Sequence, residues 1–371
     1  MQQSTITKTH SAREVKKRLN ARQAELHNLI DIGKVHAARR LASKTAKKAT
    51  DLGYYRVACS CYEFLMEFHE LWEPSKYHHD KFEKKYKVCD LLLREERYVR
   101  AAYREIARNM DRKRTISQKT IAAALEHLKM VEKFEAKGLH GGYFYHKYFM
   151  FKCIVAHIQG HYEEEYKIAQ KAYRYFEEEF LNFAISKFYF MTVQAVAMSS
   201  MGRWDAAEGL IGKARGIQIT KMSAWNRNVL TAARIAINQD RDATALLQEY
   251  IELGADNNHL HDLLYIYNEI NQGRPVADTS HLNVYQRDTT GLGISFNVAK
   301  LWNAKLKGDL PDYKQRIDQF CNDHLGNDAR SKGYLRRMIG KKDVNLSTDV
   351  WHPDIEIIPF EQVIEKYEGI K

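Results

Sequence analysis

Three stretches of this chain repeat one pattern: Ile32-Gly33-Lys34-Val35-His36-Ala37-Ala38, Gln159-Gly160-His161-Tyr162-Glu163-Glu164-Glu165 and Met201-Gly202-Arg203-Trp204-Asp205-Ala206-Ala207. In each stretch, a glycine, a basic residue and a large apolar residue separate two segments that have the periodicity of amphipathic helices. Glycine readily adopts the left-handed conformation that ends a helix, and the apolar residue fixes the start of the next helix. The pattern therefore predicts antiparallel helical hairpins.

Small residues follow each of these turns at positions where the second helix must lie close to the first: Ala38 and Ala42, Ala169 and Ala172, Ala207 and Ala214. No proline occurs between Pro74 and Pro275, and the intervening chain is rich in Ala, Leu, Glu, Lys and Arg. Such a composition favours nearly uninterrupted helix. The best strand signal is the short alternation at 354–358. The sequence therefore predicts an all-α fold.

Other local signals predict where helices begin and end. Ser11 and Glu14 have the spacing of a capping box, which predicts the first helix. Pro74 predicts a break between helices at about 54–72 and 75–93. A weaker copy of the turn pattern, with Glu96 in place of the glycine, predicts a further turn at 95–102. The glycines in 138–142 predict a flexible loop.

The segment from Gln194 to Ala214 resembles a tetratricopeptide repeat, with its turn glycine, first aromatic, small crossing residue, large apolar residue and second small residue at Gly202, Trp204, Ala207, Ile211 and Ala214. The hairpin at Gly33 fits less completely, and the one at Gly160 has Glu165 where the crossing alanine belongs. Gly160 and Gly202 are 42 residues apart, more than the usual repeat of about 34. Residues 12–272 are thus similar to degenerate, long-helix TPR-like proteins of bacteria. The resemblance implies an α-solenoid of antiparallel hairpins.

The expected organisation has five parts. A flexible polar N-terminus (1–11) precedes the repeat array (12–272), and a loop or linker (273–293) leads to an atypical helical C-terminal cap (294–340). An acidic tail (341–371) ends the chain and contains a short helix near 360–367. Terminal repeats need a capping element, which gives this last region a structural role.

Charge is concentrated at the two ends of the chain. The net charge is +11, of which residues 1–50, with 12 Lys/Arg against 3 Asp/Glu, contribute +9. Near the other end, a run of six cations between Arg330 and Lys342 contains no acid, and residues 343–371 follow with seven acids against two lysines. The ends are therefore the parts where charge predicts an interaction.

The sequence offers no convincing catalytic, cofactor or metal site. Gly291-Leu292-Gly293 lacks the strand and the further glycine of a dinucleotide-binding motif and is interpreted as a loop. The adjacent His78 and His79 point to different faces of a helix, and Cys59-Ser60-Cys61 lacks the spacing of redox or zinc motifs. We therefore expect a protein that is not an enzyme and that needs no cofactor or metal.

No apolar run approaches the roughly 20 residues that span a bilayer, so no membrane association is expected. The polar N-terminal residues lack the apolar core of a secretory signal. The five cysteines are sparse and lie within helical pattern, which favours reduced, buried thiols. These features predict a cytoplasmic protein.

Two surfaces are candidates for binding. The aromatic helices between Gly142 and Gly202 suggest a groove lined by Tyr145, Tyr148 and Tyr189 that holds a protein partner, although the same residues also fit a helix packed between neighbours. The function expected from this surface is that of a scaffold or adaptor that binds a peptide or a partner helix on its concave face.

The alternative is a regulatory or sensor protein that contacts nucleic acid or another polyanion through its basic N-terminal hairpin. The candidate residues are Arg39, Arg40, Lys47 and Lys48, although cations also keep a helix surface soluble.

The acidic clusters at 163–165 and 177–179 lie 14 residues apart, which is close to four helical turns. They are interpreted as one solvated stripe, or as the receptor for a basic segment.

Overall fold

The structure, a computed structural model, describes residues 11–112, 118–179, 181–219, 221–254, 259–277, 291–325, 329–341 and 356–370. These residues form sixteen helices and no strand, and their one β-type contact is an isolated bridge between Ser11 and Asn182. The all-α prediction is confirmed for this part of the chain.

The chain forms two compact units. Unit 1 comprises Met1–Ala107 and Lys119–Phe190, and unit 2 comprises Arg108–Gln118 and Met191–Lys371. The division between the units therefore falls inside the expected repeat array of 12–272. It does not separate the expected linker, cap and tail from the last helices of that array.

The helices of unit 1 follow the chain with short connections. They are α1 (Ala12–Asp31), α2 (Val35–Asp51), α3 (Tyr55–Leu71), most of α4 (Lys76–Arg112), nearly all of α5 (Gln118–Glu135), α6 (Gly142–Ile158), α7 (Tyr162–Glu178) and the first part of α8 (Ala184–Ser200). Ser11 caps α1, because its side-chain Oγ accepts a hydrogen bond of 3.1 Å from the backbone N–H of Glu14.

Unit 2 contains the remaining helices. They are α9 (Trp204–Arg215), α10 (Met222–Asn238), α11 (Thr244–Glu252), α12 (His259–Asn271), α13 (Gly291–Lys307), α14 (Leu310–His324), α15 (Ala329–Met338) and α16 (Phe360–Gly369). The expected loop at 273–293 is wrong at its end, since Gly291-Leu292-Gly293 forms the first turn of α13. Residues 278–290 of that loop lie outside the described residues.

The three glycine turns have the predicted conformation. Gly33, Gly160 and Gly202 have φ values of +72°, +73° and +70°. At the first turn, the N–H of Lys34 donates to the carbonyl of Leu29 at 2.9 Å, and the N–H of Gly33 donates to Ile30 at 2.9 Å. This pair of bonds is the Schellman motif, which satisfies the last carbonyls of a helix. The next helices begin at the predicted apolar residues 35, 162 and 204.

Asp240 occupies the same position between α10 and α11. Its φ is +59°, and the N–H of Arg241 donates to the carbonyl of Ala236 at 2.9 Å. Aspartate tolerates the left-handed region better than most side chains do. The turn therefore recurs at a place where the glycine pattern does not reveal it.

The small residues after the turns lie where the helices of a hairpin meet. Ala38, Ala42, Ala169, Ala172, Ala207 and Ala214 are all 0% exposed. A larger side chain at these positions would push the helices apart. The prediction of close crossings is confirmed.

The turn predicted at Glu96 is wrong. Helix α4 continues without a break from Lys76 to Arg112 and passes through this residue. The segment contains no glycine and consists of good helix formers, so the helix continues. Pro74, by contrast, does separate α3 from α4 as predicted.

The glycine-rich loop between α5 and α6 is closely packed. A side chain at Gly141 would place its Cβ 2.6 Å from the Cα of Gly53, and one at Gly142 would lie 2.5 Å from the ring of Phe183. In the same loop, the buried ring of His140 stacks on the ring of Phe144 with a centroid distance of 3.7 Å. Gly141 and Gly142 therefore allow the close approach of another backbone and of an aromatic ring, while Leu139 in the same loop is exposed.

The N-terminal ends of α1, α3, α6 and α8 meet within unit 1. The N–H of Ala12 donates to the carbonyl of Asn182 at 3.2 Å, and the hydroxyl of Tyr54 donates to the carbonyl of Ala12 at 2.6 Å. Tyr143 contacts both Tyr54 and Phe183, with ring centroids 5.1 and 5.8 Å apart. The first helix of the unit is thereby joined to the last.

One hydrophobic core unites most helices of unit 2. Helices α10 to α15 contribute apolar side chains, and so do Ile357, Ile358, Phe360, Val363 and Tyr367 near the end of the chain. The short closing helix is confirmed as α16, but it belongs to the core of unit 2. Residues 342–355 of the expected acidic tail lie outside the described residues.

Among the described residues, the apolar stretches of the helices are too short or too charged to cross a bilayer.

We expect Gly202→Ala to lower the free energy of unfolding by about 1–2 kcal/mol, because alanine is strained in the left-handed region. A Cβ at Gly202 meets no atom within 4 Å, so the effect is conformational. Gly209 lies inside α9 and is also unobstructed, so Gly209→Ala is the matched control and should stabilise by about 0.5–1 kcal/mol. Urea denaturation of both variants checks this. Equal effects at the two glycines would contradict the role of the turn.

Candidate functional site

The most elaborate polar site in the described residues lies in unit 2, where other helices hold residues 356–370. This stretch, here called the C-terminal segment, consists of the non-helical residues 356–359 and helix α16. Side chains from α10, α12, α13 and α15 contact it through hydrogen bonds. The helices of unit 2 thus hold a segment that is more than a hundred residues away from α10 in sequence.

Helix α15 supplies a buried arginine to this site. The Arg330 Nε and Nη2 atoms donate to the two carboxylate oxygens of Glu356 at 2.6 and 2.9 Å. Its Nη1 and Nη2 atoms donate to Glu361 at 2.8 and 2.9 Å. One guanidinium therefore binds two carboxylates, each with two hydrogen bonds, in the planar geometry that arginine favours.

Aromatic rings surround the same guanidinium. Its Cζ atom lies 5.0 Å from the ring centroid of Tyr334 and 5.8 Å from that of Phe360. Tyr334 is one turn after Arg330 on α15, and its hydroxyl donates to Glu361 at 2.8 Å. Both rings add cation–π contacts to the guanidinium.

Helix α10 holds the backbone of the non-helical stretch. Arg234 Nη2 donates to the carbonyl of Glu356 at 3.0 Å, and Asn238 Nδ2 donates to the carbonyl of Ile357 at 2.9 Å. Arg234 and Asn238 are four residues apart, so they share one face of α10. These bonds go to the main chain of the segment and do not depend on its side chains.

Glu356 also organises the segment itself. Its Oε2 atom accepts a hydrogen bond of 2.9 Å from the backbone N–H of Phe360, the first residue of α16. A carboxylate is favourable at the start of a helix, where backbone donors lack partners. The residue that binds Arg330 therefore also starts the helix.

The remainder of the segment is held by apolar contacts and two polar anchors. Ile358, Phe360 and Val363 are at most 1% exposed. The Tyr367 hydroxyl donates to the carbonyl of Met338 at 2.8 Å, and Lys305 Nζ lies 4.4 Å from the Tyr367 ring centroid. Burial at this level contributes about 1.5–3 kcal/mol per large side chain. The segment is therefore an integral part of the core of unit 2.

The electrostatics of the site favour bound carboxylates. Burial by itself would raise the pKa of the Glu361 carboxyl, but the hydrogen bonds from Arg330 and Tyr334 outweigh burial and hold this pKa below its ordinary value. Burial raises the pKa of the Tyr334 hydroxyl to about 12, and its bond to Glu361 adds to the shift. Tyr334 therefore stays a donor over the whole neutral range.

The predicted tyrosine groove lies in unit 1 and is largely packed. Tyr148 is 6% exposed, and its ring belongs to the aromatic core. Tyr145 is half-buried, 4.7 Å from the ring of Tyr175, and Tyr189 is half-buried, 5.7 Å from the ring of His146. The alternative interpretation of a helix packed between neighbours fits Tyr148. A binding role for Tyr145 and Tyr189 stays a prediction.

The predicted basic residues differ from one another. Arg39 is half-buried, 3.6 Å from the carboxylate of Glu73 and 5.3 Å from the ring centroid of Phe68. It is therefore engaged in packing α2 against α3. Arg40, Lys47 and Lys48 are exposed and make no ion pair with the described residues.

The acidic clusters form the predicted solvated stripe only in part, and Glu165 is the buried exception. Glu165 is 4% exposed, and its carboxylate lies 2.7 Å from His157 Nδ1. Glu164, Glu177 and Glu178 are exposed on the same helix α7. The departure from the repeat pattern at Glu165 is thus accommodated by a buried histidine partner.

The described residues contain no group of three or more His, Cys, Asp or Glu side chains that is placed to hold a metal ion. All five cysteines are buried thiols. Burial raises the pKa of the Cys59 and Cys61 thiols to about 12, which makes both weak nucleophiles. Cys59 and Cys61 therefore have the character of core residues, as predicted.

Part of the C-terminal site had a signal in the sequence. The sequence shows a basic run that begins at Arg330 and an excess of acids after residue 343, and in the structure Arg330 pairs with Glu356 and Glu361. Arg336 and Lys341 of the same run contact Asp318 of α14 instead. The sequence did not indicate the roles of Arg234 and Asn238. A helix pattern does not show which polar side chain will hydrogen-bond to the backbone of a distant segment.

Comparison with models of protein families, with curated proteins and with solved structures finds no match to this chain.

We expect Arg330→Gln to lower the free energy of unfolding by about 3–5 kcal/mol, because it leaves the carboxylate of Glu356, 1% exposed, buried without its cation. Arg337 on the same helix pairs at 2.7 Å with Glu368, and both side chains are substantially exposed. Arg337→Gln should therefore cost less than about 1 kcal/mol. Urea denaturation of the two variants provides the comparison. Similar losses in both would mean that the buried pair has no special weight.

The lowered pKa of Glu361 also predicts a pH dependence. A carboxyl whose pKa is lower in the folded state stabilises the fold above its unfolded pKa of about 4.3, and this contribution is lost as pH falls through the folded value. Glu361→Gln removes that group. We expect the urea midpoint of the variant to fall less than that of the wild type between pH 5 and pH 3. An identical fall in both proteins would contradict the assignment.

Proposed function

We propose that this chain is a TPR-like helical-repeat protein that acts without catalysis, as a scaffold or adaptor, by holding a segment of a protein partner against the faces of its helices. The resemblance at 194–214 and the recurring turns support the repeat architecture. The C-terminal segment on unit 2 supports the binding role.

Contacts between helices fit a stack of hairpins in each unit. In unit 1, α1 packs against both α2 and α3, and in unit 2, α10 packs against α9, α11 and α12. In stacked hairpins, the first helix of one hairpin contacts its own partner and the first helix of the next hairpin. The contacts of α1 with α3 and of α10 with α12 have this spacing.

The observation that carries the proposed function is the way in which unit 2 holds residues 356–359. Side chains of α10 donate hydrogen bonds to two backbone carbonyls of this stretch, those of Glu356 and Ile357. The buried Arg330 of α15 binds the carboxylate of Glu356. Main-chain bonds supply affinity for an extended segment, and pockets for particular side chains supply specificity. In the structure the chain itself supplies that segment.

The chemistry of the site defines the class of partner. It fits a segment with a carboxylate, branched apolar residues, an aromatic residue and a second carboxylate, in the order of Glu356, Ile358, Phe360 and Glu361. Because these residues are integral to the core, a partner segment binds by replacing them. The proposed partners are therefore acidic, apolar segments that continue into a helix.

The buried thiols accord with a cytoplasmic location, which is part of this proposal. Thiols persist in reducing compartments, whereas small secreted proteins use disulfides for stability.

A test in trans uses the full chain with its own segment weakened. Glu356→Gln together with Glu361→Gln removes both carboxylates and leaves Arg234, Asn238 and Arg330 unchanged. A labelled peptide of residues 351–371 should bind this variant at least tenfold more tightly than it binds the wild type, where the tethered segment competes at high effective concentration. The peptide should also raise the Tm of the variant, since it binds the folded state.

Two controls accompany this experiment. The same peptide with glutamine at both glutamate positions should bind at least tenfold more weakly, and circular dichroism verifies that the variant keeps its helices. A folded variant that ignores the peptide would exclude peptide recognition by this site.

A further inference from the structure

A second surface, in unit 1, carries charge that the fold does not use. Four cations of α2 are exposed: Arg40, Lys44, Lys47 and Lys48. None of them makes an ion pair with the described residues. Exposed cations on the neighbouring helix α1, Lys17, Arg18 and Arg22, likewise make none.

Several cations elsewhere in the protein have partners. Arg215 lies 3.1 Å from Glu249, Arg241 lies 2.8 Å from Glu208, and Arg274 lies 2.8 Å from Glu269. Even Arg39, next to the exposed set, pairs with Glu73 at 3.6 Å. Other exposed lysines of unit 1, such as Lys81, Lys84 and Lys171, also make no ion pair with the described residues, but the surface of α1 and α2 groups seven such cations on two neighbouring helices.

The four cations of α2 share one face of the helix. Their spacing of four, three and one residues keeps them within about 100° of one another, over roughly 12 Å of helix length. The one acid in α2 is Asp51, its last residue. Like charges one turn apart destabilise a helix, so the spacing of Arg40 and Lys44 opposes folding slightly.

The helix dipole accounts for only part of the arrangement. Lys48 lies in the last turn of α2, where a cation is favourable. Arg40 and Lys44 lie before that turn, and the dipole effect falls off within it. Their clustering needs another explanation.

The chemistry of this face indicates the ligand. Its other exposed residues are His36, Ser43 and Asp51, so it presents no apolar side chain of the kind that inserts into a membrane surface. It also presents no Asn or Gln to read base edges, and its one ring, that of His36, is engaged with Phe68 at a centroid distance of 5.6 Å. What remains is a row of cations and a hydroxyl, which suits a phosphate backbone.

We infer that the exposed face of α2, extended by the cations of α1, binds the phosphate backbone of nucleic acid without sequence specificity. A row of about 12 Å spans three to four phosphates along one strand of a duplex, at about 3.4 Å per phosphate. Arg40, Lys44, Lys47 and Lys48 supply the contacts. This binding is independent of the peptide site in unit 2.

The test compares two full-length variants with equal net charge. One reverses the proposed surface with Arg40→Glu, Lys44→Glu and Lys47→Glu. The other reverses three exposed lysines elsewhere in unit 1 that make no ion pair with the described residues, Lys81→Glu, Lys84→Glu and Lys171→Glu. Fluorescence anisotropy with a labelled 30-base-pair DNA of arbitrary sequence measures the affinity of each protein.

Wild-type affinity should fall about 40-fold between 50 and 200 mM salt if three phosphates are neutralised. Reversal of the α2 face should weaken binding at least tenfold at 50 mM salt, and the control variant should lose less than threefold. Duplexes of unrelated sequence should bind equally.

Equal losses in the two variants would overturn the proposal, since net charge alone would then explain binding. Binding by the wild type that does not change with salt would overturn it as well. So would affinity for vesicles of anionic lipid in the absence of any affinity for DNA. Circular dichroism of both variants establishes that each retains its helices, and salt titration of the wild type tests the proposal without any variant.

Discussion

The backbone hydrogen bond that closes a helix across a left-handed residue is the interaction on which both units depend. It determines where a helix ends, and it reverses the chain so that the next helix can pack against the last one. At Gly33, Gly160 and Gly202 this geometry places the following alanines at helix crossings with no exposed surface. The same bond forms at Asp240, so the turn is defined by its backbone conformation and does not require glycine. Glycine is the residue that adopts this conformation with the least strain.

Local features were predictable because their causes are local. The start of α2 at Val35 matches the prediction, since the glycine turn before the helix determines it. The turn expected at Glu96 does not form, also for a local reason. The segment resembles the other turns in sequence but has no residue that tolerates a positive φ. The contact between Gly53 and Gly141 was unpredictable, because it joins glycines from distant parts of the sequence, and either one alone reads as an ordinary loop residue.

The candidate site likewise has features that were visible in the sequence and features that depend on the fold. The sequence shows opposite charges near the end of the chain, but only the fold selects Glu356 and Glu361 from the seven acids as the partners of Arg330. Asn238 reads in the sequence as one more polar helix residue, and its bond to Ile357 depends on how α10 faces a segment that follows it by more than a hundred residues. The aromatic pattern suggested that Tyr148 lines a groove, but its side chain is buried. In the sequence, an aromatic residue of a helix looks the same whether its ring faces a groove or a neighbouring helix.

The bond between Ala12 and Asn182 has a consequence for synthesis of the protein. Repeat stacks with contacts only between neighbours are able to fold progressively from one end. Here the first helix has its final neighbour 170 residues further along the chain. At 5–20 residues per second, a ribosome needs roughly 10 to 35 s to produce that stretch. During this interval the first helix lacks the neighbour that caps it in the finished fold, so the earliest part of unit 1 to be synthesised is among the last to be completed.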